Sequence, residues 1–428
     1  MGFFIVFLFF ALMFLGMPVA FAIGISGFVF FVTDPMMPMS IAVQKVASMS
    51  QSFPLLAVPF FVLAGHLMNE SGITNRLFRF SYVAVGWMAG GLAQVAIVLA
   101  TLMGGVSGSA VADAAMEARI LGPTMVEKGY GKGYSAAAIA VGSLITATIP
   151  PSIGLILYGY VGNVSIGRLF LAGIIPGLMM MAALMTCAYI IAKKRNYVVA
   201  NTEKPTLKTL GSAMWGAKWA LLFPVALVIA IRGGVFTPSE VGSMAVVYAI
   251  IVGFLLHREL NAEKVIRAFR HAVSDVGLIM IIILLSGMVG HAIIFNQVPQ
   301  AISTWMLAGL SNPTLIVAVI LLFLVISGCF VEATVLVLLL APIFVPIVTK
   351  LGVDPVHFGI LMMSIVTLGG MTPPVGVAMF AVCSLMDVKV EDYAVAAVPF
   401  LFTIFAVIGV LLFSPGLVLW LPNMAFGP

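Results

Sequence analysis

The chain has 428 residues, of which 62% are hydrophobic and only 8% charged, against about 25% charged in an ordinary soluble domain. With a mean hydropathy of +1.21 and no long polar stretch, this excludes a soluble enzyme and a receptor with a sizeable domain outside the membrane. The net charge of +5 sits on loops, where it reports orientation in a bilayer and not affinity for nucleic acid. Cys187, Cys329 and Cys383 lie far apart in apolar sequence, with neither a disulfide framework nor a metal spacing, and the five histidines have no metal-like spacing either.

A helical crossing takes roughly 20 apolar residues. In chain order, apolar runs predict spans at 3–32, 51–69, 133–163, 169–192, 214–232, 238–256, 273–296, 355–386 and 396–421. The first lacks a basic leader and a cleavage site and is read as a retained span. The stretches 90–128 and 313–350 are interrupted at mid-depth by Ser107-Gly108-Ser109 and Ser327-Gly328-Cys329, and are read as re-entrant hairpins. With the N-terminus cytoplasmic and the C-terminus periplasmic, fourteen Lys and Arg fall inside and four outside, namely Lys45, Arg168, Arg232 and Lys350. Treating either hairpin as a full crossing would erase that bias. The basic and aromatic run Arg76–Trp87 predicts a helix lying in the interface, with a repeat partner around Pro299–Leu310 that contains Trp305.

An internal repeat underlies the pattern. Pro123, Gly129, Pro150 and Pro151 match Pro346, Gly352, Pro373 and Pro374 at a constant offset of 223, and Ser107-Gly108 matches Ser327-Gly328 at 220. Ala64-Gly65 corresponds to Ser286-Gly287, and Pro18 to Pro238. Four spans and one hairpin per half would leave the copies parallel, so the span at 214–232, with no counterpart, is expected to invert the second. Inverted repeats are a recurring architecture of secondary transporters, because two pseudo-symmetric halves can expose one site alternately to each side.

The helix breaks carry the chemistry. Pro150-Pro151 and Pro373-Pro374 remove backbone donors in mid-span, so the helix must unwind there, which is tolerated in a membrane only when buried or facing a polar cavity. Freed carbonyls of Thr146, Ile149 and Pro151, and of Gly369, Thr372 and Pro374, suit a small hard cation such as sodium with no carboxylate required. The hairpin tips add hydroxyls and carbonyls at Ser107, Ser109, Ser327 and Gly328. Helices restarting after the breaks point positive ends at the same region, which suits an anionic substrate. Thr148, Ser152, Ser109, Ser327 and Glu332 are candidate substrate or gating residues. An ionisable group one turn from a tip is usually functional, so Glu332 is read either as a gating or substrate-linked group or as a hydrogen-bonding brace of the hairpin. Asp113, Glu117 and Arg119 lie roughly 6 to 15 Å from the first tip at helical rise. They are read as an architectural cluster or wet face ahead of direct substrate contact.

Several motifs resemble one family. They are Gly104-Gly-Val-Ser-Gly-Ser-Ala-Val-Ala-Asp113, Ile149-Pro-Pro-Ser-Ile-Gly154, Ser165-Ile-Gly-Arg-Leu-Phe170, Gly328-Cys-Phe-Val-Glu-Ala-Thr334, Asp354-Pro-Val-His-Phe-Gly359 and Leu368-Gly-Gly-Met-Thr-Pro-Pro-Val-Gly376. Over nearly the whole chain the sequence is similar to the large membrane subunit of TRAP transporters. The resemblance implies an all-α polytopic membrane protein with an inverted-repeat, elevator-type fold. It also implies a small four-helix membrane subunit and a periplasmic binding protein as partners, Na+ as coupling ion, no organic cofactor, and residence in a bacterial inner membrane. It places one sodium site on Ser107, Thr146, Ile149 and Pro151, and a second on Gly328, Gly369, Thr372 and Pro374. Position 332 is Glu where the family more often has Asp.

The expected function is sodium-coupled import of an organic acid, sialic acid or a C4-dicarboxylate, with residues 70–163 and 297–386 as the transport unit. Residues 1–69, 164–272, 273–296 and 387–428 are the expected scaffold. The alternatives are a stand-alone sodium/carboxylate symporter of related fold, and a channel or intramembrane enzyme. No convergent set of nucleophile, base and metal ligands speaks for an enzyme.

Overall fold

A computed structural model describes residues 2–427 except 198, 202, 235, 310 and 311, and except the side chains at 305 and 307–309. Trp305 and Leu310 of the second interfacial run therefore lie outside the described side chains. Every described regular element is helical. The first half comprises α1 (Gly2–Phe14), α2 (Val19–Thr33), α3 (Met39–Ser50), α4 (Ala57–Glu70), α5 (Ile73–Val85), α6 (Gly91–Gly104), α7 (Ala110–Ile120), α8 (Gly122–Glu127), α9 (Lys132–Gly142), α10 (Ile153–Val161) and α11 (Ile166–Lys194). The second comprises α12 (Leu207–Arg232), α13 (Pro238–Ile251), α14 (Ala262–Phe295), α15 (Val298–Gly309), α16 (Pro313–Gly328), α17 (Ala333–Lys350), α18 (Pro355–Gly369), α19 (Val377–Met386), α20 (Val390–Phe413) and α21 (Pro415–Phe426). Starts are signalled locally. Thr237 and Glu240 form a reciprocal cap ahead of α13, Asn312 and Asp354 cap α16 and α18, and all three helices have proline in the first turn.

Both hairpins turn back at the interruptions. The first consists of α6 and α7, with Gly90 packed on Ala192 at its start and Gly131 donating to the Tyr197 hydroxyl (3.3 Å) after its end. It opens at the end of the molecule that holds Lys193, Lys194 and Arg195. The second consists of α16 and α17, and its exit is tied to the opposite end. There Tyr158 donates to the Pro355 carbonyl (2.7 Å) and Arg168 lies 3.8 Å from Asp354. Helix α11 separates these two ends.

The first span differs from the expected single crossing. Residues 3–32 form α1 and α2, separated at Gly16 (φ +87°), a left-handed position that favours glycine, and Pro18. The two helices run antiparallel. Gly2 abuts Asn296 and Val298 just beyond α14, while Gly24, Gly27 and Phe30 follow α14 past Leu285, Met288 and Phe295 in the same direction. The chain therefore starts at the end of the molecule that carries Lys45.

This also corrects the account of the inversion. Pro18 and Pro238 both open a second helix of a pair, so α1 is the counterpart of α12, and the span at 214–232 does have a partner. Each half then has an odd number of crossings and inverts without a linking span. The packing obeys the resulting exchange: α2 lies on α14 and α13 on α4, while α7 lies on α19 and α17 on α10.

Helices α11 and α20 pack over the broken helices. Gly173 packs on the Thr148 carbonyl, Tyr393 donates to the Met371 carbonyl (2.7 Å), and His357 Nε2 lies 2.9 Å from the Leu411 carbonyl. Helices α1–α5 and α12–α15 flank this group around the packed pair α4 and α14, where His66 meets Asp275 at 2.8 Å. Core and frame meet over small residues, such as Gly65 against Ser107. Residues 396–421 are likewise two helices, α20 and α21, and α21 returns to Arg168, which donates to Asn423 (2.7 Å).

Candidate functional site

Each hairpin tip meets the broken helix of its own repeat. In the first cluster, a Cβ on Gly104 would lie 3.1 Å from both Ile149 Cβ and Thr146 Cα, and one on Gly108 would collide with the Pro151 carbonyl. In the second, a Cβ on Gly369 would lie 2.6 Å from Gly328 Cα, and one on Gly328 2.7 Å from the Val366 carbonyl. Glycine is required here by backbone approach. Gly376 donates to the Cys329 carbonyl (2.8 Å), joining tip and break directly. Ser107, Thr146, Ile149 and Pro151 thus gather at one place, and Gly328, Gly369 and Thr372 at another. Pro374 is exposed at the edge of the second. The Thr372 hydroxyl donates to Leu368 (2.7 Å), and both Pro-Pro bonds are cis.

The first cluster has a member that sequence reasoning set aside. Asp113 is buried, and its Oδ2 accepts hydrogen bonds from the Ser107 hydroxyl (2.6 Å) and the Thr146 hydroxyl (3.1 Å). Thr146 also approaches the Ala100 carbonyl (3.0 Å). A carboxylate therefore orients the two hydroxyls of the cluster. Its position four residues past a Ser-Gly-Ser tip, on the buried face of the following helix, was the available signal.

Between the clusters and the frame lies a cavity of about 270 Å³. Four helices start at its wall: α7 at Ala110, α10 at Ile153, α17 at Ala333 and α19 at Val377. Helix N-termini carry positive potential, so their convergence favours an anionic group without any basic side chain. None of the lining residues is Lys, Arg or His. On the frame side Val19, Leu278, Ile279 and Ile282 close the cavity.

Of the candidate substrate residues, Ser109 and Glu332 line the cavity, whereas Thr148, Ser152 and Ser327 do not. Ser109 and Ser152 cap α7 and α10, the latter also donating to the Ala147 carbonyl (2.6 Å). Thr148 is buried with its hydroxyl unpartnered. Glu332 caps α17, accepting from Thr334 N–H (2.8 Å), Val335 N–H (3.4 Å) and the Thr334 hydroxyl. Glu332 thus makes hydrogen bonds that brace the hairpin and also borders the cavity.

Residues 6–417 match the family described as the DctM component of the tripartite ATP-independent periplasmic transporter. The chain is 34% identical over 416 residues to the sialic acid TRAP transporter large permease protein SiaM of Vibrio cholerae, covering 97% of each. It is 34% identical over 402 residues to the isethionate TRAP transporter permease protein DctMQ of Oleidesulfovibrio alaskensis, covering 94% of this chain and 63% of that longer protein. The crystal structure of the YdaH transporter of Alcanivorax borkumensis shares the fold, with a TM-score of 0.63 at 13% identity over 93% of this chain and 96% of that one. The chain therefore belongs to the DctM-component family of tripartite ATP-independent periplasmic transporters, as one of their large permease subunits.

Proposed function

We propose that this subunit imports an organic acid by coupling it to sodium, its core unit carrying the cavity past the frame. The observation that carries the reading is the cavity itself, walled by four helix N-termini and flanked by two clusters in which a hairpin tip meets an unwound helix. Sodium is assigned to Ser107, Thr146, Ile149 and Pro151 in the first cluster, and to Gly328, Gly369, Thr372 and Pro374 in the second. These groups offer hydroxyls and carbonyls, the ligands a small hard cation takes when it is stripped of water. The bound cations would offset the substrate's negative charge in a cavity wall that has no basic side chain.

An asymmetry supports movement. Gly65 and its repeat equivalent Gly287 make different contacts: Gly65 faces Ser107 of the first tip, whereas Gly287 faces Met49 and Lys45 of α3. The residues that follow the second tip, Glu332–Val335, instead share the cavity wall with Leu278, Ile279 and Ile282, nearer the basic end of α14. The core is thus displaced from the pseudo-symmetric position towards the basic end, which we assign to the cytoplasm of a bacterial inner membrane. Both termini then face the periplasm. A small four-helix membrane subunit and a periplasmic binding protein are proposed as partners. Sialic acid and C4-dicarboxylates are the first substrates to test.

The test is uptake into proteoliposomes holding this chain and its partner subunits, with loaded binding protein outside and an imposed sodium gradient. Accumulation that follows the gradient is expected. Sodium-independent uptake would sink the coupling, and uptake by this chain alone would favour a stand-alone symporter.

A further inference from the structure

Helix α12 carries an ammonium group that nothing in the protein neutralises. Lys218 is the only charged residue between Lys208 and Arg232, and the run Trp219–Ile231 beyond it is wholly apolar. Among the described residues it makes no ion pair and no hydrogen bond. The helices packed on α12 supply no acid: α5 and α11 contain none, and Glu240 of α13 lies at the other end, bonded to Thr237 (2.7 Å). Glu203 lies before the helix begins. The Lys218 amine is instead placed over indole rings, 3.5 Å from the centre of Trp215 and 5.2 Å from that of Trp219, an attraction that orients the cation without discharging it. Neither indole N–H donates to a described residue, and the Trp219 carbonyl is taken by the Tyr248 hydroxyl. Three donors, one of them charged, thus gather within about one turn of helix, with no free acceptor among them.

Their depth and direction indicate the ligand. From Lys218 to Arg232 the helix rises about 21 Å, and both side chains reach outward from the apolar run between them, so together they bracket a hydrocarbon layer of about 30 Å. Lys218 therefore lies at its boundary, where Trp215, Trp219 and Tyr248 form the aromatic belt of a membrane interface. The outward stripe that holds Lys218 continues one turn at a time through Leu222, Val225 and Ile229, all exposed. A charged donor cluster above an apolar stripe has the order of a phospholipid, head over chain. We propose that this stripe binds a phospholipid with an anionic headgroup in the leaflet at the basic end. The phosphodiester accepts from the Lys218 ammonium and the indole N–H groups, and one acyl chain follows Leu222, Val225 and Ile229. A zwitterionic headgroup fits less well, because its own cation competes with Lys218 for the phosphate. A protein helix laid on the stripe would have to bring an acid to the level of Lys218, whereas every anionic phospholipid already carries its charge there.

Native mass spectrometry of the transporter purified with its membrane partner, titrated with phosphatidylglycerol or phosphatidylcholine, tests the site. The wild type should retain one phosphatidylglycerol more than Lys218→Gln, and should hold phosphatidylcholine about fivefold more weakly. Lys218→Arg, which keeps the cation, should keep the lipid. Lys208→Gln, on the same helix but outside the stripe, should match the wild type. Equal retention by the wild type and Lys218→Gln overturns the proposal, and so does an equal loss in Lys208→Gln, which would reduce the effect to general surface charge. A Lys218→Gln complex that sheds its small subunit also overturns it, by making the stripe a protein interface. Should Lys218→Gln fail to assemble, the wild type decides alone, and equal affinity for the two lipids overturns the proposal.

Discussion

The two clusters descend from one repeated motif and have solved the same problem differently. In the first, Asp113 accepts from Ser107 and Thr146, so a charged group sets two hydroxyls in place. In the second, no carboxylate takes part: Gly328 lies against Gly369, Gly376 is bonded to Cys329, and the Tyr393 hydroxyl donates to the Met371 carbonyl. The acidic residue of that hairpin, Glu332, is occupied by its own helix cap. Repetition conserves the break, while the means of holding it open diverges. A charge-held site is sensitive to electrostatics, and a backbone-held site to volume.

The comparison can be broken most severely by volume. Gly369→Ala would place a methyl group 2.6 Å from Gly328 Cα, and overpacking of this kind costs about 1–3 kcal/mol. It should lower the thermal unfolding temperature and abolish uptake. Gly104→Ala, with its nearest contacts at 3.1 Å, should do less. If both variants behave alike, the two clusters are held in the same way. Electrostatics should discriminate in the other direction. Asp113→Asn weakens charge-assisted hydrogen bonds worth about 1.5–3 kcal/mol, and should raise the sodium concentration for half-maximal uptake by about tenfold or more. Thr372→Val removes one neutral hydroxyl, worth about 1 kcal/mol, and a shift of about fivefold is expected. An equal or larger shift for Thr372→Val would remove the distinction.

Glu332→Gln tests the cap. The amide oxygen keeps most of the bonds to Thr334 and Val335, so a stability loss below about 1 kcal/mol is expected, with sodium dependence retained. Loss of uptake from a normally stable Glu332→Gln would instead make the carboxylate part of gating. The smallest effect concerns orientation. A protease applied to right-side-out cells with a permeable outer envelope should remove an N-terminal tag while leaving activity intact. Protection of the tag would restore a single crossing over 3–32.

Much of the site was legible because its signals are local. A Pro-Pro pair in an apolar run and a Ser-Gly break at mid-depth announce interrupted helices at the residue level, and their repetition at a near-constant offset announces the pairing. Asp113 was visible without its partners, since hydropathy marks a charge in an apolar run without saying what faces it. The antiparallel turn at Gly16 was missed for a related reason. The 3–32 run is uniformly apolar and long enough for one crossing, so four turn residues within it did not register as a reversal.

By itself the sequence determined the solvent, the helical class, the sites of unwinding and the existence of two inverted halves. Each follows from composition or from residues whose backbone behaviour is intrinsic. Tertiary structure alone decided that α1 doubles back on α2, that α11 and α20 pack over the broken helices, and that four helix N-termini converge on one cavity. These are relations between segments far apart in the chain. In a membrane they are set by close packing of small residues and by the need to satisfy buried polar groups, and an apolar stretch carries no local record of its neighbour.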